Sequence, residues 1–113
     1  MVTRASAKAA GREWEGRVAV FMSDVWPKVE RRRQAGRFDR GDLINTEPWV
    51  VECKATRTID LAGGCDEARK EAVNAGAQWW VLVVKRRNKP ASRAYAVMDL
   101  QQFHDLIERG KTP

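Results

Sequence analysis

The chain has 113 residues, 43% of them hydrophobic and 32% charged, and carries a formal net charge of +6. This composition describes one globular domain with a modest core and excludes a disordered chain. The basic balance points to a polyanionic partner, nucleic acid before a membrane surface, and no run approaches the ~18 consecutive apolar residues of a spanning helix.

The first helix is predicted over 5–25, where Trp14, Val18, Phe21, Met22 and Val25 recur at i, i+4, i+7, i+8 and i+11 as one apolar stripe. Pro27 ends it, because proline disfavours helical geometry at the residue before it. Residues 29–34 read as a short charged strand and 36–40 as a turn. Two strands follow, 43–45 and 49–55, joined by the turn Thr46-Glu47-Pro48. Asp60 caps a second helix over 61–75, with Leu61, Cys65, Ala68 and Ala72 on its stripe. Gly63 and Gly64 weaken its first turns, and Gly76 stops it.

The continuous apolar run 79–84 predicts a strand covered on both faces. Trp79 and Trp80 point opposite ways along it, one into the core and the other beneath a helix or a second subunit. Residues 85–92 read as a basic loop and 94–98 as a final short strand. Asp99 then caps a third helix, with Gln102 at the capping-box position and Leu100, Phe103 and Ile107 on its inner face. The order is helix, three strands, helix, two strands, helix, in a single domain 1–113 whose ends, 1–10 and 110–113, are expected to be flexible.

Residues 1–12 lack the apolar stretch of a secretory signal. Cys53 and Cys65 form neither a disulfide framework nor a CxxC pair, and read as two buried reduced thiols. A zinc site would need more ligands than these and the lone His104, which reads as a surface residue. These features predict a cytoplasmic protein.

Three charges fall where a core should not hold them. Asp42 stands at the mouth of the 43–45 run, and Glu52 and Lys54 lie inside 49–55. Alternate strand residues share a face, so Glu52 and Lys54 point together, away from Val51 and Cys53. On neighbouring strands, Asp42 and Glu52 repel unless a cation sits between them. Magnesium takes oxygen ligands and keeps several waters, so two carboxylates and a main-chain carbonyl suffice. Such an ion acidifies a bound water and offsets charge building on a phosphate. Lys54, beside two carboxylates, stays protonated and can hold that water against the phosphate. Glu15 adds a carboxylate at the edge of the first helix's stripe, with Val18, Ala19 and Met22 at i+3, i+4 and i+7.

Each of these residues has a plainer alternative. Asp42 reads also as a turn aspartate after Gly41, Glu52 and Lys54 as a solvated strand face, and Glu15 as a boundary glutamate paired with Arg12 or Arg17. No Ser/His/Asp set and no GxxxxGK phosphate loop is present. The basic residues suit a DNA footprint. Arg31 and Arg33 share one strand face with Arg32 opposite, Arg57 follows the 49–55 strand, and Lys85, Arg86, Arg87 and Lys89 flank a loop. Each could neutralise a phosphate, as could Arg17, or serve as ordinary solvated surface.

Asp42 followed by Glu52-Cys53-Lys54 resembles the PD-(D/E)xK nuclease motif. Gly11-Arg12-Glu13-Trp14-Glu15-Gly16-Arg17 resembles the first-helix signature of archaeal-type Holliday junction resolvases. The stretches Arg31-Arg32-Arg33-Gln34-Ala35-Gly36, Asp39-Arg40-Gly41-Asp42, Ile59-Asp60-Leu61-Ala62-Gly63 and Lys85-Arg86-Arg87 are similar to small resolvase-like endonucleases of actinobacterial phages. The resemblance spans about residues 11–98. It implies an α/β, restriction-endonuclease-like core, with a central mixed β-sheet flanked by α-helices. It implies that Glu15, Asp42, Glu52 and the backbone carbonyl of Cys53 hold Mg2+, for which Mn2+ can substitute, and that Lys54 serves the water and the phosphate. Gly41 replaces the motif's proline, and Asp39 rivals Asp42 for the aspartate role.

The resulting expectation is a homodimeric, magnesium-dependent endonuclease that resolves four-way DNA junctions by paired nicks, encoded by a bacterium or a phage. A two-fold dimer offers two sites for two symmetric cuts. The alternatives are a nicking or restriction-type nuclease of the same fold and a DNA-binding module without cutting.

Overall fold

The computed structural model describes residues 3–33 and 40–111. Helix α1 (Arg4–Met22) is followed by β1 (Glu30–Arg31), β2 (Leu43–Ile44), β3 (Trp49–Lys54), α2 (Leu61–Ala75), β4 (Trp79–Val84), a 3₁₀ turn (Ala91–Arg93), β5 (Tyr95–Val97) and α3 (Leu100–Gly110). The element order agrees with the sequence pattern. The molecule is an α/β fold in which the strands form two sheets. One is a mixed sheet, β3-β4-β5, with β3 parallel and β5 antiparallel to β4; the other is the antiparallel ribbon β1-β2. The ribbon touches the mixed sheet through its start, where the Asp42 N–H donates to the Val51 carbonyl at 2.9 Å. Of the charged strand expected over 29–34, the described residues 29–33 are strand only at Glu30–Arg31; residue 34 and the expected turn up to residue 39 lie outside the described residues.

The mixed sheet lies between α1 and α2. Trp14, Val18 and Ala19 of α1 pack with Leu43, Val51, Cys53 and Val81. Ala68 and Ala72 of α2 pack with Val50 and Trp80 on the opposite face. The two-residue alternation of a strand produces this split. It also explains the unbroken apolar run of β4, which feeds both layers. Trp79 and Trp80 are both buried. Trp79 tilts against Trp49 and lies under the Arg109 guanidinium.

Helix α2 begins at Asp60, whose carboxylate accepts the Gly63 N–H at 2.9 Å, and ends at Gly76 in the left-handed region. Its buried stripe is Gly64, Ala68, Glu71 and Ala72, whereas Leu61 is exposed and Cys65 half-buried. Gly64 explains the phase: a Cβ there would stand 3.0 Å from Leu82 Cδ2, so its bare face lets α2 close on β4.

Two other apolar stripes turn differently from the pattern. Helix α1 ends at Met22, three residues short of the predicted Val25, and Phe21 and Val25 stay exposed. They border an open apolar groove of about 480 Å³ floored by Trp49, Val51, Val81 and Val83. Helix α3 is rotated so that Gln102 and Leu106 face inward, leaving Leu100 79% exposed and Phe103 and Ile107 half-exposed. The cause is a backbone demand. Strand β5 pairs only with Leu82–Val84, and Gln102 completes the edge that β5 does not reach. Its side chain accepts the Trp80 N–H at 3.0 Å and donates to the Trp80 carbonyl at 2.6 Å. Asp99 caps the helix through the Gln102 N–H as expected, but the Gln102 side chain serves β4 rather than the cap.

Gln102→Leu, nearly the same in volume, orphans both Trp80 groups. At ~1–3 kcal/mol for each buried unsatisfied group, it should lower the unfolding free energy by about 2–6 kcal/mol. Chemical denaturation measures this; a loss below 0.5 kcal/mol, the ordinary surface range, would show that water replaces the amide.

Candidate functional site

β3 carries Val51 and Cys53 toward α1. Val50, Glu52 and Lys54 face α2. Glu52 is only 3% exposed. Asp42 reaches it from the entrance of β2. The Asp42 Oδ2 accepts the Cys53 N–H at 2.7 Å, and its carbonyl accepts the Arg32 N–H at 2.7 Å. Gly41 makes this approach possible. Its φ is +99°, and a Cβ would meet Val50 Cγ1 at 3.0 Å and the Val51 carbonyl oxygen at 3.2 Å. Proline, held near φ −65°, could not stand there in this conformation.

Glu15 comes from α1, with its Oε1 3.6 Å from Arg31 Nη1. Burial, and then the charge of Asp42, raise its pKa above the usual carboxylate range, although Arg31 opposes them. Glu52 is raised further. Burial is the largest cause, followed by a proton-sharing contact with Asp42 and the charges of Asp42 and Glu71. Its Oε1 is buried and accepts no hydrogen bond from the described residues. The Lys54 ammonium lies 3.5 Å from Glu52 Oε2 and 3.2 Å from Glu67 Oε2. Burial lowers the Lys54 pKa, but Glu52 and Glu67 more than offset this and the net shift is upward. The Cys53 thiol is pushed up by burial and by the charges of Asp42, Glu15, Glu52 and Glu71 around it, which leaves it a poor nucleophile.

The fold thus gathers Glu15, Asp42, Glu52 and Lys54 from α1, the start of β2 and β3, as the sequence pattern anticipated. Their donor set is hard oxygen, and the orphaned Glu52 Oε1 suits a hard divalent cation such as magnesium. Asp39 lies outside the described residues. Two members escaped the sequence reading: Glu67 and Glu71 of α2, whose carboxylate oxygens lie with that of Glu52 within 4.8 Å of one another. The available signal was Glu71's place at i+7 from Gly64 and i+3 from Ala68, visible once the glycine is counted as part of the stripe.

The basic residues divide into two groups. Lys8, Arg12, Arg31, Arg32 and Arg33 line a shallow basin with Glu15 and Asp42. Arg57, Lys85 and Arg87 line another beyond the C-terminal ends of β3 and β4. Arg17 and Arg86 are brought to neither. Arg17 stacks on Trp14 and donates to the Lys89 carbonyl at 3.3 Å. Arg86 lies over Tyr95 and donates to the Arg93 carbonyl. His104 is exposed, as expected. No helix among the described residues is long and apolar enough to cross a membrane. Comparison with protein-family models, curated proteins and solved structures finds no match.

The raised carboxyls set a pH dependence. A glutamate of ordinary pKa, 4.5, is ionised in the unfolded chain at neutral pH, whereas Glu52 stays protonated in the fold without metal. Folding then takes up a proton. The stabilisation is complete below 4.5 and is lost as pH rises toward the folded-state value. Thermal melts in chelator, from about pH 5 to about pH 9, should show falling stability, by at most ~1.4 kcal/mol per pH unit for each proton. Glu52→Gln cannot ionise and should flatten the slope; an unchanged slope would place the titration elsewhere.

Proposed function

We propose that this protein is a magnesium-dependent DNA endonuclease of the PD-(D/E)xK type, acting as a homodimer on four-way junctions. The observation that carries the reading is the convergence of Glu15, Asp42 and Glu52, with Lys54 two residues on, at one edge of β3. Three separated segments place three carboxylates together, an arrangement that costs stability unless it serves a cation. The mixed sheet between helices supports a restriction-endonuclease-like core.

Glu15, Asp42 and Glu52 would hold the metal, with the Cys53 carbonyl as a further oxygen ligand. When bound, magnesium supplies a Lewis acid for the phosphate and an acidified water. The protein's own residues do the rest. The Cys53 N–H holds one oxygen of Asp42 at 2.7 Å and so orients that carboxylate. Lys54, kept protonated by Glu52 and Glu67, positions the attacking water and offsets charge on the phosphate. Water attacks phosphorus, the P–O bond to the leaving strand end breaks, and that oxygen takes a proton. Arg31 and Arg33, with Lys8, Arg12 and Arg32, border the carboxylates on one side. Arg57, Lys85 and Arg87 lie beyond the parallel strand ends, where ligands of open α/β sheets commonly bind. Together they can engage backbone phosphates on both sides of a cut. The open groove bordered by Phe21 and Val25 gives a second subunit an apolar surface to cover, and a two-fold pair presents two sites to the two strands cut at a junction.

A labelled four-way junction and a linear duplex, each with and without magnesium, test the reading. The junction should be nicked only with metal. Asp42→Asn and Glu52→Gln should abolish cutting while preserving or strengthening DNA binding, and Lys54→Ala should slow cutting by about 10²–10³-fold. Glu15→Gln should lower cleavage far more than stability, whereas Glu13→Gln, on the exposed side of α1, should change little. Wild-type rates in Glu52→Gln would overturn the assignment. A monomer by light scattering that binds both DNAs equally would leave a general nuclease.

A further inference from the structure

The placement of Asp42 turns on a single peptide group. Asp42 follows Gly41, whose φ of +99° lies where glycine's backbone moves at little steric cost. A carboxylate carried beyond such a joint swings if the Gly41–Asp42 peptide plane rotates. Both ends of that plane are tied. Its N–H donates to the Val51 carbonyl at 2.9 Å, and its carbonyl accepts Arg32 Nε–H at 2.9 Å. The first tie is main chain and comes with the fold. The second is a side chain, from the residue just after β1. Strand register explains the meeting. Arg31 pairs with Leu43 in the β1–β2 ribbon, so Arg32 stands opposite Asp42, and its own N–H donates to the Asp42 carbonyl at 2.7 Å. Arg32 thus grips the carbonyls on both sides of the Asp42 Cα. Its neighbours spend their charge differently: Arg31 lies 3.6 Å from Glu15, and Arg33 is exposed, whereas Arg32 is half-buried.

We infer that Arg32 is a positioning residue for Asp42: its Nε–H locks the Gly41–Asp42 peptide and so aims the carboxylate. The competing assignment is a phosphate contact, because Arg32 also borders the basic basin beside Glu15 and Asp42. The clamp stands on the hydrogen bonds themselves. Its effect on cleavage rests on the nuclease reading and deepens it, since a misplacement of ~1 Å in a reacting constellation costs about 10²-fold in rate. Side-chain chemistry separates the two roles. Glutamine carries an N–H nitrogen on Cδ, where arginine carries Nε, and has no charge. Lysine keeps the charge but bears its nitrogen one bond farther out, on Cε. Arg32→Gln therefore keeps the clamp and loses the cation, whereas Arg32→Lys keeps the cation and loses the clamp.

The first measurement is amide hydrogen exchange in the intact protein, without metal or DNA. The Cys53 N–H, held by Asp42 Oδ2 at 2.7 Å, reports whether that carboxylate keeps its place. The Leu82 N–H of β4, a strand paired on both sides, reports global opening. In Arg32→Lys, Cys53 should exchange about tenfold faster or more, as expected for loss of one hydrogen bond from a charged donor, with Leu82 unchanged. Arg32→Gln should match wild type. The second measurement is cleavage of a labelled four-way junction at saturating DNA, beside DNA affinity across a salt series. The turnover rate should fall about 10²-fold in Arg32→Lys with affinity kept, and stay close to wild type in Arg32→Gln. Unchanged Cys53 exchange in Arg32→Lys would overturn the inference. So would equal acceleration of Cys53 and Leu82, which would leave a general stability contact. If Arg32→Lys cuts like wild type while Arg32→Gln binds DNA more weakly, with a salt slope lower by ~0.9, Arg32 is a phosphate ligand and the inference falls. A wild type that cuts no DNA would remove the nuclease reading, and the exchange pattern alone would then decide the clamp.

Discussion

Glu52 points its carboxyl into the helix-covered face of β3, where an isolated charge costs several kcal/mol. The rest of the site answers that constraint. Asp42 is bonded to the next residue's N–H and raises the local negative charge further. Lys54 partly compensates, and Glu15 and Glu71 add charge from opposite helices. A protein selected only for stability would place a valine at this position, as it does at Val50 and Val51. Burial and the neighbouring carboxylates answer the charge excess by raising the pKa values of Glu52 and Glu15 above the usual carboxylate range.

The scaffold supplies the rigidity that such a site needs. β3 pairs in parallel with the fully apolar β4 along its whole length, so Glu52 and Lys54 are carried by a firmly anchored strand. The approach of Asp42 depends on Gly41, whose positive φ and lack of a Cβ let the β1–β2 ribbon hydrogen-bond to Val51. Gly64 plays a comparable part on the other face. By letting α2 close on Leu82, it sets the helix phase that turns Glu71 inward. Two glycines far apart in sequence thus control how closely the carboxylates on either side of β3 approach it.

The polar edge of β4 shows the same priority of backbone over side-chain preference. With β5 short, Trp80 needs partners, and Gln102 provides them. Helix α3 must then turn its apolar residues outward. The apolar groove beside α1 has a related origin, since the helix ends at Met22 and covers only part of the sheet face.

Much of this was legible in the sequence because it is governed by local rules. The strands β3 and β4, the start of α2 at Asp60 and its stop at Gly76, and the Asp99 cap follow from periodicity, capping and the left-handed tolerance of glycine. Glu15, Asp42, Glu52 and Lys54 stood out as charges inside or beside apolar runs, and the fold brings them together. What only tertiary structure decided was rotation and contact. The phases of α2 and α3 depended on a missing Cβ at Gly64 and on an unpaired strand edge at Trp80, neither of which alters hydrophobic periodicity. Glu67 and Glu71 read as ordinary helix-surface residues until that phase is known. Arg17 and Arg86 read as phosphate ligands until their stacking on Trp14 and Tyr95 is seen. A residue's type and spacing reveal what it can do, but which neighbour it meets is set by packing between segments distant in the chain.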